Sequence, residues 1–179
     1  MANSTMAKLK AHDALQKTSP DQQFRDALIG LVNPSTGLAN DYLNVFNEIL
    51  LLIEFLPTMP EMTDEALAWR PRGYLEYFEQ SPLPGAQQVM QAYAGVDPEV
   101  RAHFETILAR LTDTVTEALE KVSAEQTSPH YPETIVNSCE DTALAMRAHL
   151  DLIMLLINEG RIAADAIAAH FGKLNQDGI

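Results

Sequence analysis

A broad apolar stripe between residues 98 and 124 constrains the fold of this chain more than any other feature of the sequence. Its members recur every three or four residues, the spacing of side chains along one face of an α-helix. The run opens with Asp97-Pro98-Glu99, in which aspartate suits the N-cap and proline the first helical position. The pattern predicts an amphipathic helix over about 98–124. The stripe consists of Val100, Phe104, Ile107, Leu108, Leu111, Val115, Ala118, Leu119 and Val122.

Two further long helices are predicted, over about 38–56 and about 133–158. The first contains five consecutive apolar residues, 49–53, and should end at Pro57. The second should end at Gly160. No segment alternates apolar and polar residues as a half-buried strand does. We therefore predict an all-α fold, an antiparallel bundle of these three long helices with shorter helices packed across it.

The chain of 179 residues is long enough for one domain. Residues 1–18 are polar and weakly patterned, and we interpret them as a flexible N-terminal arm. Ser19-Pro20-Asp21-Gln22 is typical of a helix start. We therefore place a single helical domain at 19–175. Its first helix should carry an apolar stripe of Phe24, Leu28, Leu31 and Val32.

Composition excludes several classes of protein. The net charge of −13, from 25 acidic and 12 basic residues, argues against nucleic acid and anionic membrane surfaces as partners. The N-terminus lacks the apolar core of a secretory signal, and the longest apolar run, residues 152–157, is too short to span a membrane. The single cysteine, Cys139, excludes a disulfide framework and fits a reducing compartment. We expect a cytoplasmic protein.

Known catalytic motifs are absent, so no catalytic residue is nominated and the choice between enzyme and non-enzyme stays open. The di-iron sites of helical bundles use Glu-x-x-His motifs, but none of the five histidines follows an acidic residue by three positions. Phosphate-binding glycine loops, the His-Glu-x-x-His motif and the Gly-x-Ser-x-Gly motif are also missing. The sequence identifies no cofactor.

His149 is a candidate ligand-binding residue on the helix over 133–158. Glu140, Arg147, Asp151 and Asn158 form a narrow polar stripe on this helix, and His149 points to the opposite, apolar face. A histidine there needs a hydrogen-bond partner, and burial should lower its pKa. It either binds a metal or small ligand, or it is a core histidine satisfied by the protein itself.

The segment 69–78 is rich in aromatic and basic side chains. Trp69, Arg70, Arg72 and Tyr74 are of the residue types enriched at binding hot spots, and the two arginines suit a carboxylate or phosphate. The segment is therefore a candidate ligand-binding surface. The alternative is a packing lid that closes one end of the bundle.

Two weaker polar constellations are candidates for cation binding. Asp41, Asn44 and Glu48 share one face of the helix over 38–56 and suit a cation or a polar ligand. Glu99 and His103 lie four residues apart, a spacing that can place two ligands on one metal. Both sets are equally compatible with solvated helix faces.

Leu51 and Phe55 are the candidate interface residues. They form an i,i+4 pair within the otherwise polar half of the helix over 38–56, so another helix or a partner chain must cover them. We expect a non-enzymatic interaction or regulatory protein that acts through protein–protein contacts as a homodimer. The alternative is a helical bundle, with or without enzymatic activity, that binds a small ligand or a metal in a pocket near His149.

Overall fold

A computed structural model describes residues 31–174, with side chains through residue 169. This part of the chain is all-helical and contains no strand. The predicted arm at 1–18 and the first helix of the predicted domain lie outside the described residues. The seven α-helices are α1 (Asn44–Phe55), α2 (Thr63–Ala68), α3 (Tyr74–Glu79), α4 (Ala86–Ala94), α5 (Pro98–Glu125), α6 (Val136–Glu159) and α7 (Arg161–Leu174).

Helix α5 confirms the prediction from the apolar stripe. The Asp97 carboxylate accepts hydrogen bonds from the backbone amides of Glu99 and Val100, at 2.9 and 3.2 Å, and so caps the helix. All nine residues of the stripe are buried. The helix is 28 residues long and forms one wall of the core.

Helix α1 is shorter than the predicted helix over 38–56. It has 12 residues and is preceded by a 3₁₀ turn at Asp41–Leu43. The residues before this turn belong to a loop, in which the Leu38 carbonyl accepts the Asn33 amide and the Ala39 amide donates to the Tyr74 hydroxyl. The first of these bonds occupies a carbonyl that a helix starting at residue 38 would use for its own first hydrogen bond.

Helix α6 has 24 residues and follows a 3₁₀ turn at Glu133–Ile135. It ends at Gly160, whose positive φ of 52° suits glycine. Arg161, directly after this turn, reaches Asp97 at the start of α5. Helices α5 and α6 are therefore antiparallel. Only these two helices exceed 20 residues, so the described chain has two long helices and a shorter α1 in place of three long ones.

The core is continuous and includes residues from every helix. Its largest fully buried side chains include Phe46, Phe78, Phe104 and Met146. Helix α6 packs against α5 on one side and against α1 on the other. Within residues 31–174, no helix has both the length and the apolar character needed to cross a bilayer.

Candidate functional site

The predicted interface residues, Leu51 and Phe55, are both exposed. Their exposed fractions are 52% and 45%, whereas Leu50 and Ile53 on the same helix are buried. No other part of the described chain covers them. The structure therefore leaves open to solvent the two apolar side chains that the sequence placed on the polar face of α1.

A groove lies between α1 and α6, and its lining includes Glu54, the residue before Phe55, but neither Leu51 nor Phe55. Its volume is about 610 Å³. Leu144 of α6 lines the groove and is 71% exposed. Glu54 of α1 and Arg147 of α6 also line it and form an ion pair across it. The remaining lining residues are Pro57, Thr58, Val136, Cys139, Glu140 and Ala143.

We use the name α1–α6 surface for Leu51, Phe55, Leu144 and this groove. Glu54 faces α6, and Leu51 and Phe55 lie within one helical turn of it. On α6, Leu144 lies one turn before Arg147. Exposed apolar side chains thus flank the Glu54–Arg147 ion pair on both helices. The sequence pattern pointed to Leu51 and Phe55, the α1 part of this surface, and contained no signal for Leu144.

A second groove, of about 530 Å³, lies between the start of α1 and the later part of α6. It contains Asp41 and Asn44 of the predicted polar trio but not Glu48. Asp41 accepts hydrogen bonds from the Tyr77 hydroxyl at 2.7 Å and from the Asn44 amide at 3.3 Å. Among the described residues, no three His, Cys, Asp or Glu side chains are grouped closely enough to hold a metal.

The aromatic residues of segment 69–78 pack inward. The Trp69 indole nitrogen donates a hydrogen bond to the Val45 carbonyl at 3.2 Å. Tyr74 is buried, and its ring contacts those of Tyr42, Phe78, Tyr93 and Phe104. Burial raises the pKa of Tyr74, and its hydroxyl accepts the Ala39 amide. Both side chains therefore hold α1 and the loop before it in place.

The two arginines of the segment have different surroundings. Arg70 is exposed and donates to the backbone carbonyls of Leu67 and Trp69, at 2.7 and 2.6 Å. The Arg72 guanidinium lies 5.5 Å from the centroid of the Tyr77 ring. Arg72 and Tyr74 line a common groove of about 520 Å³, which Arg70 and Trp69 do not line. The four candidate residues are therefore not assembled into one site.

His149 is half-buried on α6. Its Nδ1 atom is buried and makes no hydrogen bond of good geometry among the described residues, although the Ala145 backbone carbonyl, one turn earlier, interacts with the ring. Desolvation by burial lowers the pKa of His149, and the nearby Arg110 lowers it further, whereas the Ala145 carbonyl acts to raise it. Burial and Arg110 therefore favour the neutral imidazole over the charged one. His149 lines neither the two α1–α6 grooves nor the groove beside Arg72.

The candidate metal pair Glu99 and His103 makes separate contacts. The His103 Nδ1 atom donates to the Glu99 backbone carbonyl at 2.9 Å, within the helix. The Glu99 carboxylate instead pairs with Arg161 at 2.5 Å. The two side chains thus have different partners in this structure, and joint binding of a metal would require Glu99 to leave Arg161.

The ion-pair partner of Arg147 could not be predicted from the sequence. The pattern placed Arg147 on the polar stripe of α6, and in the structure it pairs with Glu54, 93 residues away in the chain. Helical spacing carries no signal for such a contact.

The chain matches no family model, and comparisons with curated proteins and with solved structures found no match.

Proposed function

We propose that this chain is a non-enzymatic interaction or regulatory protein that forms a homodimer through the α1–α6 surface. The observation that carries the proposal is the exposure of Leu51, Phe55 and Leu144 around an open groove. Large apolar side chains grouped on a surface are typical of protein–protein contacts. We retain the antiparallel three-helix core, built on α1, α5 and α6, as part of this hypothesis.

The shape of the surface favours association between two identical copies. An isologous dimer needs a patch that is complementary to itself. Phe55 is exposed and follows Glu54, which lines a groove whose volume exceeds that of an aromatic side chain, so each copy offers both a projection and a recess. Burial of apolar surface contributes about 25 cal/mol per Å², so three such side chains per copy give a substantial driving force.

Charge gives the proposed dimer a distinctive dependence on salt. Glu54 and Arg147 neutralise one another at the centre of the surface, whereas each whole chain carries a net charge of −13. Two such copies repel one another over a distance that added salt shortens. The homodimer should therefore become tighter as ionic strength rises. Binding to a basic partner would instead weaken.

Light scattering coupled to size exclusion tests the proposal. The wild-type protein should have twice the 19.8 kDa chain mass at micromolar concentration, and Leu51→Glu should return it to the single-chain mass. Leu75→Glu is the matched control, because Leu75 is 46% exposed on α3, away from the α1–α6 surface. A wild-type protein that stays monomeric at tens of micromolar, or a Leu51→Glu variant that stays dimeric, would refute it.

A second candidate function rests on His149. A buried imidazole nitrogen that lacks a hydrogen bond of good geometry within the described chain is a position that a metal or a hydrogen-bonding ligand can occupy. Under this alternative the protein is a small-ligand- or metal-binding bundle, with or without enzymatic activity, and its pocket lies beside His149. Elemental analysis of the purified protein and of His149→Ala is the direct measurement. Equal metal content in both proteins would remove a metal role for His149.

The proposed setting is the cytoplasm, with neither nucleic acid nor membrane as a partner. The acidic composition supports this interpretation, because phosphate surfaces repel a chain of charge −13. Cys139 is buried and unpaired, which suits a reducing compartment. A nucleic-acid binding assay at low salt should therefore show no retention of duplex or single-stranded DNA.

A further inference from the structure

The groove that Arg72 and Tyr74 line lies between residues 71–76 and residues 105–112 of α5. Its volume of about 520 Å³ falls within the range of small-molecule sites, roughly 300–1,000 Å³. It shares no lining residue with the two grooves between α1 and α6. The aliphatic side chains that line it are Pro71, Leu75, Leu108 and Ala109. The groove can therefore receive the apolar part of a small organic molecule.

Arg72 is held in place at this groove through both its backbone and its side chain. Its carbonyl accepts a hydrogen bond from the Tyr42 hydroxyl at 2.6 Å. Its guanidinium lies 5.5 Å from the centroid of the Tyr77 ring, and the Tyr77 hydroxyl donates to Asp41 at 2.7 Å, which anchors that ring. Within residues 31–169, no carboxylate lies within ion-pair distance of this guanidinium. Its N–H groups are therefore available to a carboxylate from outside the chain.

Two carboxylates, those of Glu76 and Glu105, line the same groove. Each accepts a hydrogen bond that holds it, Glu76 from a backbone amide at 3.2 Å and Glu105 from the Tyr93 hydroxyl at 2.8 Å. Burial raises the pKa of Tyr42 to about 12, while Arg72 acts to lower it and Glu76 to raise it, so both charges lie near this one hydroxyl. Because Tyr42 also lines the groove, charges of opposite sign are brought together there.

We propose that this groove binds a small zwitterion, a molecule with a carboxylate, an ammonium group and an apolar body. The Arg72 guanidinium pairs with the carboxylate, whose two oxygens match its parallel N–H groups. Glu76 accepts the ammonium group, and the apolar body covers Leu75, which is otherwise 46% exposed. Such a ligand is neutral as a whole, so the net charge of −13 does not repel it as it would a simple anion. A free amino acid and a short peptide both have this chemistry and differ in the distance between their two charges.

NMR titration of the isotope-labelled full-length protein tests the site, with L-phenylalanine and the dipeptide leucyl-phenylalanine as the two probes. At least one should shift the amide signals of residues 72–76 with a Kd on the order of a millimolar or tighter, as expected for so few ligand atoms. The better probe is then compared with its N-acetyl form, which keeps only the carboxylate, and with its C-terminal amide, which keeps only the ammonium group. Each should bind more weakly by about tenfold or more, because one charged contact is lost.

Two substitutions with matched controls locate the charged contacts. Arg72→Gln should weaken binding by about tenfold or more, whereas Arg70→Gln, at an arginine outside the groove, should not change it. Glu76→Gln should weaken binding by a similar factor, and Glu79→Gln, on the same helix but outside the groove, is its control. None of these substitutions touches the α1–α6 surface, so the mass measured by light scattering should stay the same. The outcome for this site is thus separate from the outcome for the proposed dimer.

Three results would overturn the proposal. The first is the absence of saturable shifts with both probes up to about 10 mM. The second is equal affinity for the better probe and for its N-acetyl form or its amide, which would remove one of the two charged contacts. The third is unchanged binding by Arg72→Gln, which would place the ligand away from the groove.

Discussion

The carboxylate of Glu54 and the guanidinium of Arg147 form an ion pair that joins α1 to α6. The Arg147 side chain is 58% exposed and that of Glu54 is 27% exposed, so water screens much of their attraction. Arg147→Gln should therefore lower the free energy of unfolding by about 0.5–1 kcal/mol, and by less at high salt. Urea unfolding at two salt concentrations measures this. Arg70→Gln is the control, and a loss above about 2 kcal/mol would mean that the pair is more shielded than its exposure indicates.

Asp97 should be more important for α5 as a cap than as a partner of Arg161. The Val100 amide is the strongest influence that lowers the pKa of Asp97, and the Glu99 amide and Arg161 also lower it. Asp97→Ala should reduce the urea midpoint of unfolding, whereas Asp97→Asn should retain most of it because an amide oxygen also caps. Equal midpoints for the two variants would show that the charge matters more than the cap.

The same lowered pKa determines how the contribution of Asp97 varies with pH. A carboxyl group that is more acidic in the folded protein stabilises it above the unfolded pKa, and this contribution is lost as the pH falls through the folded pKa. The stability difference between wild type and Asp97→Ala should thus be constant at neutral pH. It should shrink below about pH 4. Urea titrations across that range measure it.

His149 should make the protein less stable in mild acid. Burial and Arg110 lower its pKa, so the unfolded chain binds a proton at this site more readily than the folded chain does. Stability should therefore fall as the pH drops below about 6.5, and His149→Gln should remove that part of the decline. His130→Gln, at an exposed histidine, is the control. A pH profile identical in wild type and His149→Gln would show that the buried imidazole does not titrate.

Cys139 should react with thiol reagents only when the protein opens. Its side chain is buried, and burial raises the pKa of its thiol to about 11. Labelling at pH 8 should be slower than in the urea-unfolded chain by a factor on the order of 100 or more. A disulfide-exchange reagent followed by absorbance gives both rates. Rapid labelling in the absence of urea would show that the groove between α1 and α6 opens to the thiol.

Local patterns were sufficient to predict α5. Its stripe, its cap and its proline all lie within one continuous segment, and every residue of the stripe is buried. The start of α1 was not predictable in this way. Ala39 lies in a loop in which its amide donates to the hydroxyl of Tyr74, a residue 35 positions away. Propensity and periodicity carry no signal for such a long-range bond.

Part of the α1–α6 surface could be predicted from the sequence, and part of it depends on the tertiary structure. The exposure of Leu51 and Phe55 follows from their position opposite the apolar face of α1. The exposure of Leu144 does not follow from the sequence pattern of α6, because Leu144 is an apolar residue outside the narrow polar stripe of this helix. Its exposure depends on the neighbours that α6 has, and α1, α5 and α7 leave one side of it open. The exposure of Leu144 is therefore determined by how the helices pack and cannot be read from the apolar pattern of α6.

Trp69 gives the protein a built-in optical reporter. It is the only tryptophan of the chain, its indole nitrogen is bonded to the Val45 carbonyl within α1, and its ring lies 6.0 Å from that of Phe46. Its fluorescence therefore reports on one helix rather than on an average over the molecule. Because α1 also carries Leu51 and Phe55, the emission maximum should shift whenever a contact at those residues displaces the helix.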